Sequence, residues 1–206
     1  MAGLLSNFRN TMILSVVLAL IMIVAYAGSP QGVGTTYFQA VFRWMHVVFG
    51  ILWIGLLYYF NFVQIRVMPA IPAELKPAVS KYVAPEALFW FRWAALMTVL
   101  AGFGIAGLHG QTYFLKVFTF GFAGGYDSSD RGFTLMGIGV WLAIIMFLNV
   151  WGIIWPNQKI ALGIKDADAD AKAKAGRIAM LASRTNTLLS LPMLTSMAMY
   201  QSLYGG

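Results

Sequence analysis

The chain of 206 residues carries two histidines and no cysteine. His46 falls inside a stretch apolar enough to cross a membrane, and His109 ends another. Neutral imidazole is a common ligand for transition metals and haem iron, and ionisable groups inside spans are functional by default. The plain alternative is an interfacial histidine bonded to a neighbour or to water. It weighs more on His109, which sits between Gly107 and Gly110. Arg43 lies three residues before His46, on the same helix face, where it can pair with a haem propionate. The two imidazoles come from different helices and are expected in one leaflet, as a b-type haem gripped by two imidazoles requires. His109 is expected about one turn shallower than His46, an offset that helix tilt can close. Zinc is not expected, because no third ligand lies nearby. The absence of cysteine excludes disulfides, thiolate metal sites, iron–sulfur clusters and a covalent c-type haem.

A second constellation gathers at the opposite ends of the helices. Asn61, Gln64, Glu86, Arg92, Asn149, Asn157, Gln158, Arg184, Asn186 and Ser190 are expected at one depth. Arg92, inside an apolar run, is the costliest to bury unless paired. Read chemically, Arg92 and Arg184 are bidentate donors, and Asn149 and Asn186 are two-way hydrogen-bonders. Together they suit a planar polar anion. The bland reading is interhelical polar packing with snorkelling to the interface.

Those residues must be positioned by membrane helices. Hydrophobic residues make up 60% and charged residues 10% of the chain, with a mean hydropathy of +0.74. A soluble domain needs about a quarter charged residues, so the chain reads as an all-α integral membrane bundle in a single domain over residues 1–206. Five spans are expected, near 11–28, 39–64, 86–109, 132–155 and 186–204. Each has roughly the 20 residues needed to cross the hydrocarbon as a helix. The first, which runs into Ala25-Tyr26-Ala27, also resembles a secretory signal; it is read as a retained span. Lys and Arg concentrate in alternate loops, which predicts a cytoplasmic N-terminus and a periplasmic C-terminus. The net charge of +7 then reflects topology and anionic lipid rather than nucleic acid.

Three connections carry local expectations. Residues 65–85 hold four prolines and read as a surface loop with one helical turn. Residues 110–122 either continue the third span or form a short aromatic interfacial helix. Asp166, Asp168 and Asp170 imitate a calcium loop, but Ala171 and Arg177 stand where glycine and glutamate are required. A cytoplasmic helix near 165–180 is expected instead, with Asp168–Lys172 and Asp170–Lys174 pairs. Pro192 is expected to kink the last span.

Several runs are distinctive together: Arg43-Trp44-Met45-His46-Val47 before Trp53-Ile54-Gly55 and Tyr58-Tyr59-Phe60; Trp90-Phe91-Arg92-Trp93 with Thr98 and Gly102; Asn149-Val150-Trp151 with Trp155-Pro156-Asn157-Gln158; and Ser183-Arg184-Thr185-Asn186 through Ser190-Leu191-Pro192. Over residues 36–200 these resemble the N-terminal membrane domain of bacterial cytochrome-c-linked urate hydroxylases, the urate oxidase N-terminal family. The resemblance implies a multi-pass oxidoreductase of the bacterial inner membrane that hydroxylates urate and passes electrons to cytochrome c. The family's C-terminal cytochrome c domain is not in this sequence, so the acceptor is expected to be a separate cytochrome c or other redox protein. Haem b is the expected cofactor. A different class is also open: a non-catalytic accessory subunit, packed by its aromatic helices into a larger respiratory or photosynthetic complex.

Overall fold

The computed structural model describes residues 2–28 and 32–204, and these are helical with no strand among them. Six principal helices follow in order: α1 (Phe8–Ala27), α2 (Thr35–Ala70), α3 (Lys76–Leu108), α4 (Gln111–Phe118), α5 (Ser128–Ala161) and α6 (Ala169–Leu203). Four of them, α1, α2, α3 and α5, are long and apolar enough to cross a membrane. The protein is therefore a membrane protein.

α2 and α3 lie antiparallel and close. The Gln39 amide donates to the Leu108 carbonyl over 3.0 Å. A Cβ at Gly104 would sit 2.4 Å from the Phe42 ring, and one at Gly102 would sit 3.2 Å from His46. Small residues thus set the spacing of this pair. The core holds Trp53, Leu57, Phe60, Phe91, Met146, Val150 and Ile154, contributed by α2, α3 and α5 and closed by Met193 of α6.

Three of the four prolines of residues 65–85 lie in helix, and only Pro72 sits in a turn. α2 continues to Ala70 and α3 already begins at Lys76, leaving only a short turn between them. The helices accommodate proline by widening. Tyr59–Gln64, Val79–Val83 and Val150–Ile154 are π-helical. An α-helical Pro85 would clash with the Lys81 carbonyl, and Pro156 with that of Gly152. Both carbonyls lie within π turns, where the wider ring relieves the clash. The Tyr59–Gln64 segment has no proline so near and needs another reason.

α6 corrects two expectations at once. The helix near 165–180 and the span near 186–204 are one continuous helix of 35 residues, about 52 Å long at 1.5 Å per residue. That exceeds the ~30 Å hydrocarbon thickness. Its buried stripe is Ala175, Ala179, Ser183, Asn186, Ser190, Met193, Ser196 and Tyr200. This stripe is polar, which lowers the hydropathy of the helix although it faces protein. The expected Asp168–Lys172 and Asp170–Lys174 pairs are absent from the described residues, where the one ion pair is Lys116–Asp130. Asp168 instead caps the helix by accepting from the Ala171 amide at 2.7 Å.

α4 is a separate short helix and not a continuation of α3. Gly110 adopts φ +95°, a left-handed conformation that breaks the chain direction between them. Asp127 then caps the turn into α5.

Candidate functional site

The amide residues form a network of two neighbouring sets of hydrogen bonds where α2, α5 and α6 meet. Asn186 is fully buried; it donates to the Met146 carbonyl at 3.0 Å and accepts from Asn149 at 2.8 Å. Asn149 also donates to the Ala182 carbonyl. Asn61 donates to Ser183 Oγ and to the Leu57 carbonyl, both at 2.9 Å. The Ser190 hydroxyl donates to the Thr187 carbonyl, so the Tyr58 phenol donates to Ser190 at 3.0 Å. The bland reading of Asn149 and Asn186, as interhelical glue, describes the bonds they make.

Beside this network lies a cavity of about 360 Å³, lined by Phe60, Leu88, Phe91, Gln64, Gln158 and Ser183 among others. Its volume is near the lower end of the ~300–1,000 Å³ of small-molecule sites. Its walls are mainly aromatic and aliphatic, with Gln64, Gln158 and Ser183 as the polar groups. Two carbonyl oxygens beside it, Gln64 Oε1 and Asn61 Oδ1, are buried and accept no hydrogen bond, and the Trp53 and Trp151 indole N–H groups are buried without acceptors. An orphaned buried polar atom costs ~1–3 kcal/mol. Asn61, Gln64 and Trp151 all lie within the Tyr59–Gln64 and Val150–Ile154 π turns, and such turns recur at functional sites.

The guanidiniums do not join this cavity. Arg92 lies over the Trp155 ring at 3.9 Å and near the Phe89 ring at 5.3 Å. Arg184 is exposed. Glu86 accepts from the Trp90 indole at 2.9 Å. Asn149 itself opens onto a separate groove with Ile145, Ile153 and Thr185.

At the far end, His46 is half-buried between α2 and α3, its Nδ1 2.8 Å from the Thr98 carbonyl. A carbonyl can only accept, so Nδ1 carries the proton and Nε2 keeps its lone pair. Such a second bond orients a ligating histidine. His109 caps α3, is exposed, and holds its Nδ1 2.8 Å from the Ile105 carbonyl of its own helix. It stacks on Tyr113 at 4.4 Å. His46 packs on Gly102, seven residues before His109, which puts the two about 10 Å apart along α3. One iron needs both imidazoles within bonding distance. The structure leaves His46 Nε2 without a protein partner among the described residues and does not bring His109 beside it. Among the described residues no group of three or more His, Cys, Asp or Glu could hold a metal ion.

Some features of this end had no clear signal in the sequence. The Tyr113 and Tyr200 hydroxyls meet at 3.1 Å. Burial pushes the Tyr113 phenol well above its ordinary range, and the bond to Tyr200 adds to this, against the nearby charge of Arg43. Lys116 pairs at 2.5 Å with Asp130, which is only 1% exposed. The Asp127 carboxyl is held below its usual value by the Ser129 hydroxyl and backbone N–H.

No curated protein and no solved structure matches the chain. A family match covers α4, α5 and α6, and with them Gln158, Ser183, Asn149 and Asn186. Over residues 109–205 the chain matches the model of the urate oxidase N-terminal family, the family that its sequence motifs resemble.

Proposed function

We propose that this protein is a urate-hydroxylase-type oxidoreductase of the bacterial inner membrane, with five crossings, a cytoplasmic N-terminus and a periplasmic C-terminus. In this reading α6 supplies the fifth crossing, and the cavity between α2, α3, α5 and α6 binds a planar heterocycle of the urate class. The observation that carries the reading is the buried, unpartnered Gln64 carbonyl at an aromatic-walled cavity. Urate presents ring N–H donors and carbonyl acceptors around a flat apolar face. Gln64 Oε1 accepts a ring N–H, the Gln158 amide and Ser183 hydroxyl supply donors, and Phe60 and Phe91 cover the ring and exclude water. The family match supports the substrate class.

Haem b belongs to the same proposal. His46 Nε2 would hold its iron and Arg43 would face a propionate; His109 lies about 10 Å further along α3. Bound there, the haem would supply one-electron transfer between the substrate and a separate periplasmic cytochrome c.

Equilibrium dialysis of labelled urate against the purified protein in detergent tests the pocket. Saturable binding is expected, weakened about ten-fold in Gln64→Leu, the ~1.4 kcal/mol of one well-placed hydrogen bond. Equal binding by the variant sinks the assignment.

One observation favours a second reading, the accessory subunit. α1 has no buried residue, and a hydrogen bond from the Tyr37 hydroxyl to the Ile23 carbonyl joins it to the bundle. A stable hetero-complex on native gels, with no urate binding, would select that reading.

A further inference from the structure

Arg92 has an unusual counterpart in this fold. It lies within α3 among apolar residues, yet no carboxylate pairs with it among the described residues. Its guanidinium sits over the Trp155 indole at 3.9 Å, and the Lys159 ammonium lies 5.6 Å from the same ring. The two cations are therefore at most about 9.5 Å apart, the sum of those distances. Cation–π attraction to a single ring contributes only ~0.5–2 kcal/mol to each, and it leaves both positive charges without an anion.

The surroundings are aromatic, and Lys159 lies beyond the expected 132–155 span. Phe89, Trp93 and Trp151 make a chain of ring contacts between α3 and the end of α5, with Trp93 edge-on to Trp151 at 5.6 Å, and the Arg92 guanidinium lies over both Phe89 and Trp155. Phe89 and Trp93 are exposed on the outer surface of the bundle. Tryptophan prefers headgroup depth, and a basic pocket between membrane helices at that depth selects anionic headgroups. The site is distinct from the urate-class cavity, whose lining includes neither cation.

We propose that Arg92 and Lys159, held against Trp155, form a binding site for the phosphate of one anionic phospholipid, whose acyl chains run toward the bilayer centre past the exposed Trp93. Arg92 donates two N–H groups to the phosphate in the plane of its guanidinium, and Lys159 adds a point charge.

Native mass spectrometry from micelles doped with equal phosphatidylglycerol and phosphatidylcholine tests this. The wild-type protein is expected to retain one phosphatidylglycerol preferentially. Arg92→Gln and Lys159→Gln should each lower that retention about five-fold, the equivalent of ~1 kcal/mol per basic residue at an anionic surface. Lys174→Gln, a charge removal on exposed α6 surface, should leave it unchanged. Lys159→Gln lies outside the core, so it keeps the test valid if Arg92→Gln folds poorly. Equal retention of the two lipids by wild type overturns the proposal. So does an equal loss in Lys174→Gln, which would mark general surface charge, or full displacement of the lipid by inorganic phosphate, which would mark a free-anion site.

Discussion

Asn186 has no exposed surface, donates to the Met146 carbonyl and accepts from Asn149. Asn186→Ala removes one hydrogen bond from each partner, although Asn149 keeps the Ala182 carbonyl and the Met146 carbonyl keeps the Val150 N–H. Buried hydrogen bonds between membrane helices contribute ~0.6–2 kcal/mol each, so thermal unfolding in detergent should show a loss of about 1–3 kcal/mol. The Lys116–Asp130 pair behaves asymmetrically. Asp130 is 1% exposed and Lys116 24%. Lys116→Met leaves an uncompensated buried carboxylate and should cost about 3 kcal/mol; Asp130→Asn leaves a cation that reaches water and should cost clearly less. The same denaturation assay ranks the two. Tyr113 gives a pH dependence. Its phenol is held neutral in the folded protein to a pH above its ordinary value. The unfolded chain releases that proton near pH ~10. Folded protein thus binds more protons than unfolded above that pH, and stability falls as pH rises through it. The fall should be smaller in Tyr113→Phe when melting is followed across alkaline pH.

Helices show why some of the structure was legible and some was not. Long apolar runs announce α1, α2, α3 and α5, because lipid permits only helices there. The last helix announces itself poorly, since its protein-facing stripe is built from Ser183, Asn186, Ser190 and Ser196. Proline misleads in the other direction. Pro69, Pro77 and Pro85 read as loop residues, yet each lies within a helical segment, and two π turns immediately precede Pro85 and Pro156. Neither the π turns nor the Arg92–Trp155 contact has a periodic signature, because both depend on which neighbour packs alongside. The α2–α3 seam is a sharper test of packing. Gly104→Ala would place a methyl 2.4 Å from the Phe42 ring, and overpacking of this kind costs ~1–3 kcal/mol. Gly107→Ala, with open space around it, should be neutral in the same melting experiment.

Across the whole molecule, the bundle separates two chemistries. The amide-rich cavity lies at one end, where α2 and α5 widen into π turns. His46, tied to Thr98, lies several turns away along α2. The sequence placed asparagines and glutamines together at one depth, and the network from Asn61 to Ser183 and Asn149 to Asn186 is there. It did not separate the amides from the arginines, because depth along a helix is readable from residue number whereas facing depends on the neighbouring helix. The same limit applies to His46 and His109, whose shared end of the bundle was legible and whose 10 Å offset is set by helix pairing.

The most direct test of the proposed function is the visible absorption spectrum of purified protein before and after anaerobic addition of urate. A Soret band is expected in native material, lost in His46→Ala but kept in His109→Ala. Urate should shift it to the reduced form in the wild type and not in Gln64→Leu. Absence of the band, or a band that urate leaves oxidised, contradicts the account.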